Sequence, residues 1–339
     1  MIEIDGSYLE GGGQIIRTAI ALSALTNKAV HIFNIRKGRD SPGLKPQHLY
    51  GISAARQMCG AQVEGLNMNS TDLAFIPEKI RGGKYDVDTK TAGSVTLVLQ
   101  TLVPIGVYAD SPLEITVRGG TAVPFSPPIG YFLYVLCPLL QIIGVLIHVE
   151  VKRHGFYPRG GGELFVRVMP SDLKSTMMIE RGVAKEVKVW IFASHHLNAA
   201  KVAERIQTGF SKLIKEAETE CFYVDALSPG CFITACALFE HSMLGANALG
   251  KRGKPAEQVG LEAANDLRTA VDSNASIDRW MVDQLIIFMA LATQRTGEPS
   301  EVRIPSLTKH AQTNIWVVQK FLQVAFSVQN SVLRCVRAV

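Results

Sequence analysis

Glu10-Gly11-Gly12-Gly13-Gln14-Ile15-Ile16-Arg17-Thr18-Ala19-Ile20-Ala21-Leu22-Ser23-Ala24-Leu25 decides how the chain is read. Three glycines turn the backbone sharply and allow another group to come close. The run from Gly13 to Leu25 then predicts an apolar helix. A strand over 30–35, a polar loop and a second helix over about 47–59 follow. The same order returns twice. A glycine-led helix over 93–104 is followed by a strand over 113–118, a Gly-Gly-Thr loop and a helix from about 128. A helix over 282–292 is followed by a strand over 300–305, a loop and a helix over 310–322. Each pass sets a polar loop between a strand and the start of a helix, where free N–H groups and partial positive charge suit phosphates. Three passes can gather three such loops around one cleft. The expected class is α+β, a large domain of three similar α/β repeats with helices on one side of the sheets.

Residues 185–276 interrupt the third pass. They carry a strand over 187–194, an amphipathic helix over 201–218, a strand over 231–239 and a helix over 255–271. The expected organisation is therefore a core domain of 1–184 and 277–339 with a smaller inserted α/β domain at 185–276.

The 339 residues are 47% hydrophobic and 19% charged, which excludes a disordered chain and allows a sizeable core. The net charge of +5 permits an anionic partner without demanding one. Lys28, Arg36, Lys37, Arg39 and Lys45 crowd one stretch against Asp40 alone, which reads equally as a solvated loop or a phosphate-binding surface. The six cysteines form no Cys-x-x-Cys pair and sit mostly in apolar segments. That pattern predicts reduced, buried thiols rather than a disulfide frame or a zinc site. No signal peptide is read at the N-terminus, so a cytoplasmic location is expected. Residues 131–147 are almost wholly apolar, but Pro138, Gln141 and Gly144 favour a buried helix running into a strand over a membrane span, so no membrane is expected.

A second glycine triplet stands in His154-Gly155-Phe156-Tyr157-Pro158-Arg159-Gly160-Gly161-Gly162-Glu163-Leu164. No Walker loop is present, because neither glycine-rich stretch ends in Gly-Lys-Ser/Thr. Among the eight histidines, His310 begins an apolar helix in Ser306-Leu307-Thr308-Lys309-His310-Ala311-Gln312-Thr313-Asn314. Taken alone, that position reads as an ordinary N-terminal helix residue.

The two glycine stretches, as EGGGQxxR and HGxxPxGGG, together with the late Thr-x-His-x-x-Thr, resemble the RNA 3′-terminal phosphate cyclases over nearly the whole chain. The resemblance implies helices packed on four-stranded sheets, as in enolpyruvylshikimate phosphate synthase, with a smaller domain inserted. It implies an ATP-dependent ligase that converts an RNA 3′-phosphate to a 2′,3′-cyclic phosphodiester through histidyl-AMP and RNA(3′)pp(5′)A. His310 would be the nucleophile, an apt role for a neutral imidazole at neutral pH. Arg17, Arg36 and Arg39 would hold the RNA terminal phosphate, since a planar guanidinium grips phosphate oxygens in pairs. Gln47 and His48 would assist. Gln100 and Gln284 would contact the α-phosphate or the AMP, and Asp283 would orient the nucleotide. The adenine would lie between Pro127 and Trp280, where many relatives have tyrosine in place of Trp280. Glu10 would bind a divalent metal, Mg or Mn. RNA with a 3′-phosphate end is the implied partner, and a homo-oligomer is compatible. Two rivals differ in class. One is a non-catalytic cyclase-like RNA-binding factor in ribosome biogenesis, which would lack the histidine. The other is an enolpyruvyl-type transferase sharing the repeats, whose motifs are not seen.

Overall fold

The computed structural model describes residues 1–338. The first unit runs β1 (Ile2–Asp5), α1 (Gly13–Thr26), β2 (Val30–Phe33), α2 (Pro46–Cys59), β3 (Gln62–Glu64) and β4 (Leu73–Ile76). Its sheet has the order β1-β2-β4-β3. The first strand is parallel to the second, and the other two pairings are antiparallel. Asn27 and Gly60, both in the left-handed region, close α1 and α2.

The second unit repeats this path with β5 (Gly83–Asp88), α3 (Val95–Val107), β6 (Leu113–Gly119), a helical stretch, β7 (Leu146–Arg153) and β8 (Gly162–Met169). The order β5-β6-β8-β7 and the pairing senses match the first sheet. The expected end of α3 at Pro104 is corrected: the helix continues to Val107 with Pro104 inside it. The helical stretch is α4 (Ile129–Tyr131), a π-helical turn at Phe132–Leu136 and α5 (Cys137–Ile142). Pro138 has no N–H to give to the preceding turn and its ring needs room there, which the wider π turn provides.

The third sheet begins with β9 (Met177–Met178). The chain then leaves it for β10 (Ala184–Ser194), α6 (Val202–Ser211), β11 (Glu218–Val224), β12 (Cys231–Phe239), β13 (Met243–Leu249) and α7 (Ala256–Asp272). It returns through α8 (Met281–Thr296), β14 (Ser300–Arg303), α9 (Lys309–Phe321), β15 (Val324–Gln329) and β16 (Val332–Arg337). Strands β9, β14, β16 and β15 again pair parallel, antiparallel, antiparallel. All three sheets thus share one β-α-β-α-β-β path. The excursion builds a fourth sheet, β11-β10-β12-β13.

The helix expected over 201–218 is corrected to Val202–Ser211. The chain from Glu218 is a strand that pairs parallel with β10, Lys188 opposite Glu218 through Ser194 opposite Val224. Thr219, Phe222, Tyr223 and Val224 suit a pleated surface better than a helix.

Ile4, Ile15, Ile20, Ile32, Val98, Leu102, Ile115, Val117, Leu285 and Val317 are among the residues of one continuous core beneath the three sheets. The fourth sheet shows the strand period of two. Val189, Ile191 and Ala193 face α6 and α7, whereas Phe192 packs with Phe232 into the core of the repeats. No helix among the described residues is long and apolar enough to cross a membrane. The six cysteines are free, and five of them are buried.

Candidate active site

The glycine turn and the start of α9 meet. Thr308 caps α9 by accepting from the Ala311 N–H at 3.0 Å, which fixes the turn that carries His310. The turn before α1 is held by the Gly11 N–H donating to the Tyr8 carbonyl at 2.9 Å, with Gly11 at φ 53°, a conformation that favours glycine. That turn sets the Glu10 carboxylate against Nδ1 of the His310 ring. His310 is half-buried, and burial lowers its pKa, opposed by Glu10 and assisted by Arg17 and Arg39. The ring is therefore neutral at neutral pH, with Nδ1 engaged and Nε2 left free.

Behind this pair a line of amides crosses the repeats. Arg17 Nε donates to Gln100 Oε1 at 3.0 Å, Gln100 Nε2 donates to Gln284 Oε1 at 3.1 Å, and Gln284 Nε2 donates to the Trp280 carbonyl at 3.1 Å. Asp283 lies near Arg17. Burial pushes its carboxyl up to about 7 against the pull of that guanidinium, while burial lowers Arg17 to about 10. Arg17, Gln100, Asp283 and Gln284 line one cavity together with Gln14, Thr18 and Asn314. Asn314 accepts from Thr18 Oγ1 at 3.0 Å and donates to the Asp283 carbonyl at 2.9 Å.

The basic loop after β2 supplies the other wall. Position 12 lacks a side chain where a Cβ would fall 2.1 Å from Gln14 Oε1 and 3.3 Å from Arg39 Nη2. A Cβ at Gly13 would fall 2.2 Å from His48 Nε2 and 2.9 Å from Arg17 Nη1. The triplet therefore does two jobs, turning the chain at Gly11 and clearing space for the Gln14 amide at Gly12 and for His48 and Arg17 at Gly13. His48 is buried, and its Nδ1 accepts from the Lys45 N–H at 3.1 Å, so its neutral ring carries the proton on Nε2. Burial, followed by Arg17, Arg36 and Lys45, holds its pKa well below the ordinary histidine value. Arg36 spends Nη1 on the Ser41 and Gly43 carbonyls at 2.8 and 3.0 Å, so it also shapes the loop. Arg39 is exposed.

Of the residues expected at the site, Glu10, Arg17, Gln100, Asp283, Gln284 and His310 come together, with Arg36 and Arg39 beside them. Gln47 sits in the first turn of α2, and its backbone N lies 3.4 Å from where a Cβ of Gly93 would be. Trp280 is 49% exposed at the start of α8, with the Arg279 guanidinium 4.5 Å from its ring centroid. Pro127 is tied to α3 by Thr96 Oγ1, which donates to its carbonyl at 2.8 Å. Gln14, Thr18 and Asn314 were not singled out from the sequence. Their signal is a polar side chain on an otherwise apolar helix face, with Asn314 one turn after His310.

The second glycine triplet is a joint. A Cβ at Gly155 would fall 2.3 Å from the Gly162 backbone N, and one at Gly162 would fall 2.8 Å from the Gly155 N. His154 is buried among Phe156, Phe192 and Phe232, and burial pushes its pKa down to about 4. This stretch fastens the second repeat to the fourth sheet. His31, by contrast, bridges Glu3 at 2.7 Å and Asp72 at 3.0 Å.

Among the described residues no group of three or more His, Cys, Asp or Glu side chains is placed to hold a metal ion by itself. The buried Glu10 Oε2, the oxygen set against His310 Nδ1, accepts no hydrogen bond of ordinary geometry. A single carboxylate of this kind fits a Mg²⁺-like ion that keeps several waters and shares substrate phosphates.

The family described as RNA 3′-terminal phosphate cyclase matches residues 8–328. Proteins named RNA 3′-terminal phosphate cyclase are similar end to end. That of Thermococcus kodakarensis is 42% identical, covering 100% of this chain and 99% of its own. That of Methanosarcina barkeri is 41% identical over 97% of both chains. That of Ignicoccus hospitalis is 42% identical, over 95% of this chain and 93% of its own. The solved enolpyruvyl transferase NikO from Streptomyces tendae aligns with 50% of this chain and 32% of its own at a TM-score of 0.30 and 13% identity, too slight a likeness to build on.

Proposed function

The chain belongs to the RNA 3′-terminal phosphate cyclase family, and we propose that it closes an RNA 3′-terminal phosphate into a 2′,3′-cyclic phosphodiester using ATP. The observation that carries this reading is the Glu10 carboxylate on His310 Nδ1. It leaves the lone pair of Nε2 free to attack the α-phosphorus of ATP. A P–N bond forms, the bond to the β-phosphate oxygen breaks and pyrophosphate leaves. The imidazolium so created keeps its Nδ1 proton against Glu10, which offsets the new positive charge.

An oxygen of the RNA 3′-phosphate then attacks the same phosphorus and His310 leaves as the neutral ring. The product is an RNA(3′)pp(5′)A end. The neighbouring 2′-hydroxyl attacks the 3′-phosphorus, loses its proton and expels AMP. Activation converts an oxygen that leaves poorly into one that leaves well. Arg17, Arg36, Arg39 and the Nε2–H of His48 would hold the RNA phosphate, with Gln47 at the helix start beside them. Gln100 and Gln284 would face the α-phosphate, Asp283 would orient the nucleotide, and Pro127 and Trp280 would enclose the adenine. Glu10 would also hold a divalent ion, which supplies charge to the ATP phosphates when bound. We read 1–184 and 277–339 as the core domain and 185–276 as the insert, a division supported by the return of the chain to the sheet that β9 opens. His310 sets the enzyme apart from a cyclase-like RNA-binding factor that lacks the nucleophile.

ATP labelled at the α-phosphorus, incubated with a divalent metal and no RNA, tests the first step. Wild type should take up label that survives base and is lost in acid, and His310→Ala should take up none. Equal labelling of both proteins would remove His310 from this role.

A further inference from the structure

Beside the site stands an aromatic pair that no step above uses. The Tyr8 and Trp316 rings stack with centroids 4.1 Å apart and planes 16° from parallel. Tyr8 lies two residues before Glu10, in the turn that positions that carboxylate. Trp316 lies on α9 six residues after His310, about 9 Å along the helix axis. The pair thus joins the turn that carries Glu10 to the helix that carries His310. Its base is rigid. Ser7 donates to Asp5 through its N–H at 2.9 Å and its hydroxyl at 2.7 Å, and the Tyr8 N–H donates to the Asp5 carbonyl at 3.2 Å.

Trp316 is covered by Tyr8 and has the Lys320 ammonium 5.5 Å from its ring centroid. Tyr8 remains 38% exposed and the adjoining Leu9 50% exposed, so the tyrosine presents aromatic surface to solvent. Lys309 and Lys320 on α9 and Lys37 and Arg39 on the facing loop are all exposed. An aromatic surface flanked by cations beside a proposed phosphate site is what single-stranded nucleic acid binds without regard to sequence.

Resting on the cyclase reading, we propose that Tyr8, backed by Trp316, is a stacking platform for a nucleobase in the last two nucleotides of the RNA. Such a contact lets the enzyme grip an RNA end while accepting any base, because every base has a π-face.

The test compares RNA oligomers ending in a 3′-phosphate with the same oligomers made abasic at the last or the next-to-last position. It also uses 2-aminopurine at each position as a fluorescent reporter. Wild type should quench 2-aminopurine at one of the two positions, and loss of that base should raise KM about tenfold, near the lower part of the range for one stacked base. Tyr8→Leu keeps an apolar cover on Trp316 but removes the π-face. It should raise KM for the intact oligomer by the same factor and be indifferent to the abasic change, and Tyr8→Phe should restore wild-type behaviour. Equal KM for intact and abasic RNA in wild type would overturn the platform. A fall in self-labelling by ATP alone in Tyr8→Leu, with KM for RNA unchanged, would overturn it too, since Tyr8 would then serve only to place Glu10. Quenching by a wild type that closes no phosphate would leave the platform standing and sink the cyclase reading instead.

Discussion

The reactivity proposed for His310 rests on its immediate neighbours. Its pKa is lowered chiefly by burial, so the unprotonated ring persists to lower pH than in an ordinary histidine. Self-labelling should therefore hold through neutral pH and fall only below the ordinary value of about 6.5. Glu10→Gln removes the charge that opposes the shift and should move that limb further into acid while slowing the step. A single-turnover pH profile checks both, and a wild-type limb above neutral would contradict them. Glycines differ as sharply in what surrounds them. Gly13→Ala puts a methyl into His48 and Arg17, and should cut RNA cyclisation by about 10²-fold, the scale of an ångström of misplacement in a site. Gly51→Ala, inside α2 with nothing nearer than 3.9 Å, should instead stabilise the protein by about 0.5–1 kcal/mol. Thermal melting and a cyclisation assay on the two variants would separate these effects.

At the scale of elements, glycines also decide how closely helices approach. α6 and α7 cross where a Cβ at Gly209 would fall 1.9 Å from the Glu257 carbonyl oxygen and one at Gly260 would fall 1.9 Å from that of Ile206. Backbone rather than a side-chain tip meets the new methyl, so neither helix can yield locally. Gly260→Ala should destabilise the protein by about 1–3 kcal/mol, the usual cost of overpacking, measured as an earlier denaturant transition in this region. Helix starts were legible to within a residue or two for α1, α2 and α9, where glycine, proline or Thr308 punctuates the chain. The helix read over 201–218 runs on to the first residue of β11, and the rest of that strand carries no assignment from sequence, because its few apolar residues fit either period. Only its pairing with β10 decides between them.

Across the whole molecule, the candidate site is assembled because first helices of different repeats meet. α1, α3 and α8 each send polar side chains into one cavity, and α9 closes it. Thr18 and Asn314, 296 residues apart, tie the first repeat to the third. Asn314→Ala would leave the buried Thr18 hydroxyl and the Asp283 carbonyl without this partner, at a cost of about 1–3 kcal/mol. It should also lower self-labelling, because α9 carries His310. A drop in melting temperature with self-labelling per folded molecule unchanged would show that the bond serves the fold and not the site.

By itself the sequence determined the three α/β passes, the polar loops at their helix starts and the residue types of the site. These depend on local period, punctuation and side-chain chemistry, and all of them are written along the chain. The tertiary structure alone decided which ring nitrogen of His310 is free, that Arg17, Gln100 and Gln284 form one line across separations of 83 and 184 residues, and that the two glycine triplets serve different ends. The reason is physical. A hydrogen bond or a backbone crossing joins groups that are near in space, and spacing along the chain carries no record of that nearness.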